Sequence, residues 1–314
     1  MKGLVLENKK VSLQDNLEVP SPKKDEVLVK VKYASINSYD VETIEGQSAL
    51  LKKLSGAKTY PVMTGLEFSG VVESDGQRFR KGDKVYGYPD LAKGQKTHQE
   101  FIVINENYIA LVPSTIDFSE SAALPLGALT TLVGLENVGK IKEGYKILIN
   151  GAAGGLGVYA VQIAKRLGAF VSAVVGPGQE QFIKDLGADN TISYKEQKLQ
   201  DINNTYDILL DLTTKVKFTD IKGLLSPRGV FIPANPFNHL SAVLGNPFRK
   251  KKVGYLMVAR GDSGKLTKIA KWVEEGKLIS IIDKTYELKD YQHGFDRTRE
   301  PGKRGRIIMK IADH

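Results

Sequence analysis

The sequence contains no cysteine and only four histidines in 314 residues. The first absence removes disulfides and every metal centre built on thiolates, whether a four-Cys structural zinc or a Cys/His catalytic one. The histidines, His98, His239, His293 and His314, lie far apart and show no H-x-x-E-H spacing, so they read as surface or hydrogen-bonding residues, and no metal site is expected. No apolar run approaches the ~20 residues that span a bilayer. Met1-Lys-Gly-Leu-Val-Leu-Glu7 is charged too early for a secretory leader. A cytoplasmic protein is expected, and the lack of cysteine agrees with that. Low-complexity linkers and internal repeats are also missing. So is the interleaving of basic and aromatic residues that RNA-binding surfaces use. The net charge of +9 therefore reads as a lysine-rich surface serving an anionic ligand, with no nucleic-acid partner.

What is present is ordinary globular material: 41% hydrophobic and 26% charged residues, in a chain long enough for about two domains. Residues 1–118 look β-rich. Val27-Leu-Val-Lys-Val-Lys-Tyr33 alternates as a half-buried strand should. Gly65, Gly70, Gly76, Gly82 and Gly87 punctuate short apolar runs, which suits a small barrel or sandwich. From about residue 120 the pattern changes. Strands are predicted at Tyr145–Ile149, Phe170–Val175, Ile208–Leu212 and Val230–Pro233, alternating with helical stretches. Repeated β-α-β units imply a parallel sheet. The tail predicts a helix over Leu266–Glu275 and a last strand over Arg306–Ile311. One boundary falls near 118–120 and a softer one near 255–262.

Between the first two strands of the middle region lies Gly151-Ala-Ala-Gly-Gly-Leu-Gly157. Ala152, Gly154 and Gly157 occupy the three positions of G-x-G-x-x-G, with alanine in the first. The first position makes the tight turn, the second lets the backbone approach a pyrophosphate, and the third allows close helix–strand packing. A strand before the loop and a helix after it supply the required context. The helix start aims its free N–H groups at phosphates, which assigns Ala153, Gly154, Gly155 and Leu156 to the cofactor. NAD enzymes usually place an acid at the end of the second strand, on the ribose 2′-hydroxyl. Here that strand runs into Gly176-Pro177-Gly178 without one. The gap tolerates a 2′-phosphate, and Gln179 and Tyr194 offer hydrogen bonds, so NADP(H) is the expected cofactor.

An ordered set of motifs resembles the medium-chain dehydrogenase/reductase superfamily, in its zinc-free quinone oxidoreductase (zeta-crystallin-like) branch. It begins with Pro20-Ser-Pro22 and Glu26–Val31 and continues with Ala34-Ser-Ile-Asn-Ser-Tyr-Asp40. Gly65-Leu-Glu-Phe-Ser-Gly-Val-Val72, Gly82-Asp-Lys-Val-Tyr-Gly87 and Ala122–Thr131 follow, then the glycine loop, Leu186-Gly-Ala-Asp189 and Tyr194. The resemblance implies an α/β fold in which a Rossmann doubly wound parallel sheet, residues 119–256, is inserted into a GroES-like β-barrel catalytic domain. That domain is residues 1–118, completed by 257–314. It implies a cleft between the two, a homodimer through the edge strand of the cofactor domain, and Asn37 and Thr131 near the nicotinamide. Asn235 is assigned to the cofactor site as well. Zinc-dependent members carry Cys where this chain has Asn37 and His where it has Leu66. Asp40 and Glu67 remain where those enzymes have acids and read as structural hydrogen-bonding residues.

Without a metal, the plausible chemistry is hydride transfer to an electrophile that needs little help, such as a quinone or an enone. Asn37 and Tyr39 are the catalytic candidates, Tyr39 as donor to the substrate oxygen or, equally, as a packed aromatic. The expected activity is NADPH-dependent reduction of quinones or α,β-unsaturated carbonyls. The alternatives are a zinc-free alcohol or aldehyde dehydrogenase, or a non-catalytic dinucleotide-binding, membrane-associated protein. Leu50–Thr59 and Asn235–Tyr255 are expected to shape the pocket. Leu240–Phe248 followed by Arg249-Lys-Lys-Lys252 reads first as a solvated loop beside the cleft or dimer interface and second as a peripheral membrane contact.

Overall fold

A computed structural model describes residues 1–45, 62–91 and 96–312. The segment Leu50–Thr59 and His314 lie outside the described residues. The chain divides into two compact units: Met1–Leu129 with Ala259–His314, and Thr130–Val258.

Unit 1 opens with the hairpin β1 (Gly3–Glu7) and β2 (Lys10–Gln14), then β3 (Glu26–Ile36) and α1 (Ser38–Ile44). Strands β4 (Val62–Met63), β5 (Phe68–Val72), β6 (Lys84–Gly87), β7 (Phe101–Asn105) and β8 (Ile109–Leu111) follow, then α2 (Phe118–Ala122) and α3 (Pro125–Val133). In the hairpin, Asn8 and Lys9 both take positive φ, 49° and 62°, which matches the right-handed twist of the strands they join. Strand β3 is the longest and most heavily paired. On one side it holds β5, from Val29 to Ala34, and on the other β7, from Glu26 to Lys30, followed by a C-terminal strand from Tyr33 to Ile36, all antiparallel. Its alternating pattern buries Val27, Val29 and Val31 in a core shared with Phe68, Val85, Ile102 and Ile104. Unit 1 extends past residue 118 because α2 packs on β3 and β5, where the Ser69 hydroxyl donates to the Phe118 carbonyl at 2.5 Å.

Unit 2 contains β9 (Lys146–Asn150), α4 (Gly157–Arg166), β10 (Phe170–Val175), α5 (Glu180–Asp185), β11 (Asn190–Ser193), β12 (Tyr206–Asp211), α6 (Phe218–Ile221), β13 (Leu225–Pro233), α7 (Leu240–Leu244) and β14 (Lys252–Val253). The strands are all parallel, in the order β11-β10-β9-β12-β13-β14. This is the doubly wound order, and it reverses between β9 and β12. A ligand crevice belongs at the carboxyl ends of those two strands. The interiors of β9, β10 and β12 are buried, which explains their near-continuous apolar runs. On α4 every residue from Gly157 to Ala164 is buried, so the helix is covered on more than one face.

The chain then returns to unit 1 with α8 (Ser263–Glu274), β15 (Ile282–Glu287), α9 (Tyr291–Arg299) and β16 (Arg306–Lys310). Strand β16 pairs antiparallel with β3, Ile307 opposite Ile36 and Lys310 opposite Tyr33. Residues from the end of the sequence thereby complete the sheet begun at its start. Among the described residues, no helix is long and apolar enough to cross a membrane.

Candidate functional site

Asn150 ends β9, and the chain turns sharply at Gly151, whose φ is 85°. The turn role thus belongs to Gly151, one residue before the motif position that Ala152 occupies. A side chain is strained in this left-handed region, and glycine is not. The Gly151 and Ala152 amides donate to the Val174 carbonyl at 3.2 and 3.1 Å, tying the loop to β10. A Cβ on Gly157 would run into the Gly151 carbonyl oxygen, whereas one on Gly154 would meet only that oxygen, at 3.5 Å. The third glycine is therefore required by packing, and the second leaves open space beside the backbone. The Gly154 amide is used within the loop, donating to Gly151 O at 3.2 Å. Those of Ala153, Gly155 and Leu156 have no partner among the described residues. Three unpaired N–H groups at the start of a buried helix fit a pyrophosphate.

At the neighbouring strand end, Asn150 Nδ2 donates to Asp211 Oδ1 at 2.8 Å, and Thr213 caps the same oxygen through its amide and hydroxyl, at 3.1 and 2.7 Å. Asp211 is fully buried, and its other oxygen, Oδ2, has no partner. Its signal in the sequence is a carboxylate at the end of an apolar buried strand. At the end of β10, the Gln179 side chain folds back so that Oε1 accepts from the Gly176 amide at 3.1 Å. A Cβ on Gly176 would meet Gln179 Oε1 at 3.0 Å and the Tyr194 ring at 3.4 Å, so these three residues gather in one place. Gln179 is buried there and Tyr194 is exposed.

Thr131 is buried on α3 and has a partner. The preceding Thr130 carries a buried hydroxyl without one. Adjacent helical residues point about 100° apart, so Thr130 is the threonine with hydroxyl capacity left over. Asn235 caps a short 3-10 turn, its Oδ1 accepting from the Phe237 amide at 3.2 Å.

In unit 1 a buried polar cluster surrounds Asn37. Arg306, at the start of β16, directs Nη2 at three oxygens: Asn37 Oδ1 at 2.6 Å, Ser35 Oγ at 2.9 Å and Glu67 Oε1. Ser35 Oγ also donates to Glu67 Oε1, and Glu67 Oε2 accepts from the Leu126 amide at 2.6 Å. Asn37 Nδ2 points back to Ser35, 3.4 Å from its carbonyl oxygen and 3.3 Å from Oγ. Both ends of the Asn37 amide are thus committed inside unit 1. Burial pushes Arg306 down to about 10, against the opposing pull of Asp40.

Asp40 accepts from the Asn37 amide and the Gly65 amide, both at 2.8 Å, and so fastens α1 to the strand β4 region. Burial raises its pKa, opposed by His98, by these two amides and by Arg306. His98 Nε2 faces the Ser35 carbonyl at 3.0 Å, which requires an N–H there. Nδ1 is therefore the acceptor of the Thr64 hydroxyl at 2.8 Å. The ring is neutral, and burial lowers its pKa. These contacts make Asp40, Glu67 and His98 part of the scaffold.

Tyr39 is the second residue of α1, half-buried, and its hydroxyl has no partner among the described residues. Burial first, then the Glu42 and Asp40 carboxylates, push its phenol up to about 12. It remains a proton-bearing donor across the working pH range. Tyr88, fully buried and raised by burial and by Tyr39, is a second phenol nearby that sequence reasoning missed. Asn37 and Tyr39 belong to unit 1, and Thr131, the glycine loop, Gly176, Gln179, Tyr194 and Asn235 to unit 2.

The positions that zinc enzymes of this type fill with Cys and His do not suit a metal here. Leu66 is buried and apolar, and the Asn37 oxygen is already bonded to a guanidinium. Among the described residues no group of three or more His, Asp or Glu is arranged to hold one.

Comparison with known proteins agrees with the architecture. Residues 23–114 match the alcohol dehydrogenase GroES-like domain, and residues 186–309 match a family described as zinc-binding dehydrogenase. The chain is 30% identical to the chloroplastic quinone-oxidoreductase homolog of Spinacia oleracea, over 93% of this chain and 92% of that one. It is 27% identical to the chloroplastic NADPH-dependent alkenal/one oxidoreductase of Arabidopsis thaliana, over 87% and 68%. The quinone oxidoreductase structure from Coxiella burnetii superposes with a TM-score of 0.87 at 26% identity, covering 99% of both chains. The chain belongs to the medium-chain dehydrogenase/reductase superfamily, on its quinone oxidoreductase branch. It is a dinucleotide-binding oxidoreductase with a GroES-like unit and a Rossmann unit.

Proposed function

We propose that this chain is an NADPH-dependent reductase of quinones or α,β-unsaturated carbonyls that works without zinc. The observation that carries the reading is the pairing of two features. Three unpaired amides stand at the switch-point loop, and an amide bonded to arginine stands where a metal-binding thiolate would be needed. The bound nicotinamide supplies the hydride. Ala153, Gly155 and Leu156 hold the pyrophosphate through their N–H groups, and Thr130 contributes its spare hydroxyl to the cofactor. Gly176, Gln179 and Tyr194 accept the 2′-phosphate where a carboxylate would repel it, and the exposed Lys195, directly after Tyr194, adds a cation. Tyr39 donates to the oxygen on which charge develops. Its pKa of about 12 keeps the proton in place until then. Asn37 acts as the fixed post on which α1, and hence Tyr39, is mounted. A quinone or enone suits this machinery because it is already electrophilic and asks for no Lewis acid. The enzyme is expected in the cytoplasm as a homodimer.

A substrate panel followed by NADPH absorbance, with product analysis, tests the reading. Saturated ketones from enones and hydroquinones from quinones are expected, with kcat/KM at least about tenfold higher for NADPH than for NADH. Allylic alcohols as products would favour an alcohol or aldehyde dehydrogenase. Tight NADPH binding with no turnover would favour a non-catalytic binder.

A further inference from the structure

Helix α1 and its C-cap carry three carboxylates, Asp40, Glu42 and Glu45, and the structure uses them unequally. Asp40 is fully buried and accepts from the Asn37 and Gly65 amides. Glu45 pairs with Arg299 of α9, whose Nη2 lies 3.0 Å from Glu45 Oε1. Glu42 does neither. It is exposed, and its carboxylate has no hydrogen bond or ion pair among the described residues. It stands three residues after Tyr39, so the two side chains share one face of the helix, with Cβ atoms about 5–6 Å apart. The backbone beneath them is held in place. The Asp40 carboxylate fastens the first turn through the Asn37 amide, and the Thr43 hydroxyl donates to the Tyr39 carbonyl at 2.8 Å. Two titratable groups without partners among the described residues therefore stand side by side, the phenol half-buried and the carboxyl open to water.

The proposed reaction consumes one proton with every hydride. Quinone, NADPH and a proton give hydroquinone and NADP⁺, and an enone gives the enol of its saturated ketone with the same balance. Hydride transfer brings the electron pair, and the oxygen left negative takes the proton. A phenol pushed up to about 12 is a weaker acid than an ordinary phenol at about 10, such as the hydroquinone to be formed, so Tyr39 gives up its proton readily only when another arrives. We infer that Glu42 delivers it, relaying a proton from solvent through Tyr39 to the substrate oxygen. The Tyr39 O–H bond breaks as the new O–H bond forms on the substrate. The phenolate oxygen takes the proton of the Glu42 carboxyl, and bulk water recharges the carboxylate. Burial first, then the Glu45 carboxylate, raises the pKa of Glu42, which keeps its carboxyl protonated to a higher pH than in an ordinary glutamate. The other charged and titratable groups around the pair are engaged elsewhere or enclosed. Asp40 holds its two amides, Arg299 bonds to Glu45 and, at 3.1 Å, to Asp296, and Tyr88 is fully buried. Glu42 acts only through Tyr39, so the inference rests on the proposed reading of Tyr39 as the donor.

Single-turnover oxidation of bound NADPH by a benzoquinone, followed on the full chain from about pH 5 to 9, tests it. In wild type the rate should fall as pH rises through the range in which Glu42 ionises. Glu42→Gln should be flat across that range, at the low level wild type reaches at high pH and at least about tenfold below wild type at pH 5. Glu42→Asp should restore the slope in part. Acetic acid should speed Glu42→Gln in proportion to its protonated form and leave wild type unchanged. Tyr39→Phe should be slow at every pH and insensitive to acetic acid. The Kd for NADPH, by fluorescence titration, should be the same in all four proteins, which checks that each is folded. A Glu42→Gln profile that matches wild type while Tyr39→Phe is slow overturns the inference and leaves Tyr39 as the donor. A Glu42→Gln rate lowered by one factor at every pH, and untouched by acetic acid, overturns it as well, because it marks a structural role. No turnover in wild type, or a fully active Tyr39→Phe, overturns both the inference and the reading beneath it.

Discussion

Replacing Arg306 by methionine removes one partner from a buried ion pair and leaves the other behind. Glu67 has no exposed surface, and Arg306 almost none. The substitution strips Glu67 Oε1 of its guanidinium and takes a donor from Ser35 and from Asn37. Breaking a buried pair in this one-sided way costs about 3–5 kcal/mol. At roughly 2–4 °C per kcal/mol for a unit of this size, the melting temperature should fall by about 6–20 °C. The chain's single tryptophan, Trp272, is buried on α8 within unit 1 and reports on that unit during urea unfolding. The decisive comparison is a double-mutant cycle with Glu67→Gln. If the pair is coupled as described, Arg306→Met combined with Glu67→Gln is less damaging than the two losses added together, by at least about 2 kcal/mol. Additive losses, or an Arg306→Met variant within about 1 kcal/mol of wild type, would refute the reasoning.

Three further outcomes are expected. Thr130→Val removes a hydroxyl that has no partner, so stability should hold or rise slightly, while the Kd for NADPH by fluorescence titration should increase about 3–10-fold, the worth of one hydrogen bond; unchanged affinity would remove Thr130 from the cofactor site. Tyr39→Phe should lower kcat on enones by about 10–100-fold with little change in the Kd for NADPH, and full activity would assign the ring to packing. Burial lowers the folded pKa of His98, so its contribution to stability is present above pH 6.5 and is lost as pH falls from there toward the lower folded value, at up to ~1.4 kcal/mol per unit. Asp40, with a raised pKa, has the opposite sign at lower pH. Melting temperatures at pH 7.5, 6.5 and 5.5 should fall less steeply in His98→Gln than in wild type, and parallel slopes would discard the assignment.

Features written locally in the sequence were legible. Strand β10 runs over Phe170–Val175 as expected, because a buried parallel strand is a continuous apolar run between turn residues. The glycine loop was legible as a motif, but which residue turns the chain was not. Alanine stood in the first motif position, and the positive φ sits one residue earlier. The hairpin at Asn8-Lys9 went unnoticed because no glycine marks it. Choosing between Thr130 and Thr131 requires knowing which way a helix faces, and no single residue states that. The Asn37 cluster was hidden for a different reason. Its central cation is 269 residues away in the chain, read only as the first residue of a terminal strand, and only the pairing of β16 with β3 brings them together.

That same pairing sets an order of events during synthesis. Residues 130–258 form a continuous stretch whose sheet needs no strand from outside it. The sheet begun by β3 cannot be completed until β16 emerges, long after β3 and after the whole of unit 2. Until then Glu67 lacks the Arg306 cation, and one side of β3 is unpaired over Tyr33–Ile36. The nascent protein therefore carries an open strand edge until β16 arrives. A chaperone that shields that edge, or a pause that shortens its exposure, should raise the yield of native protein more than any change within the cofactor unit.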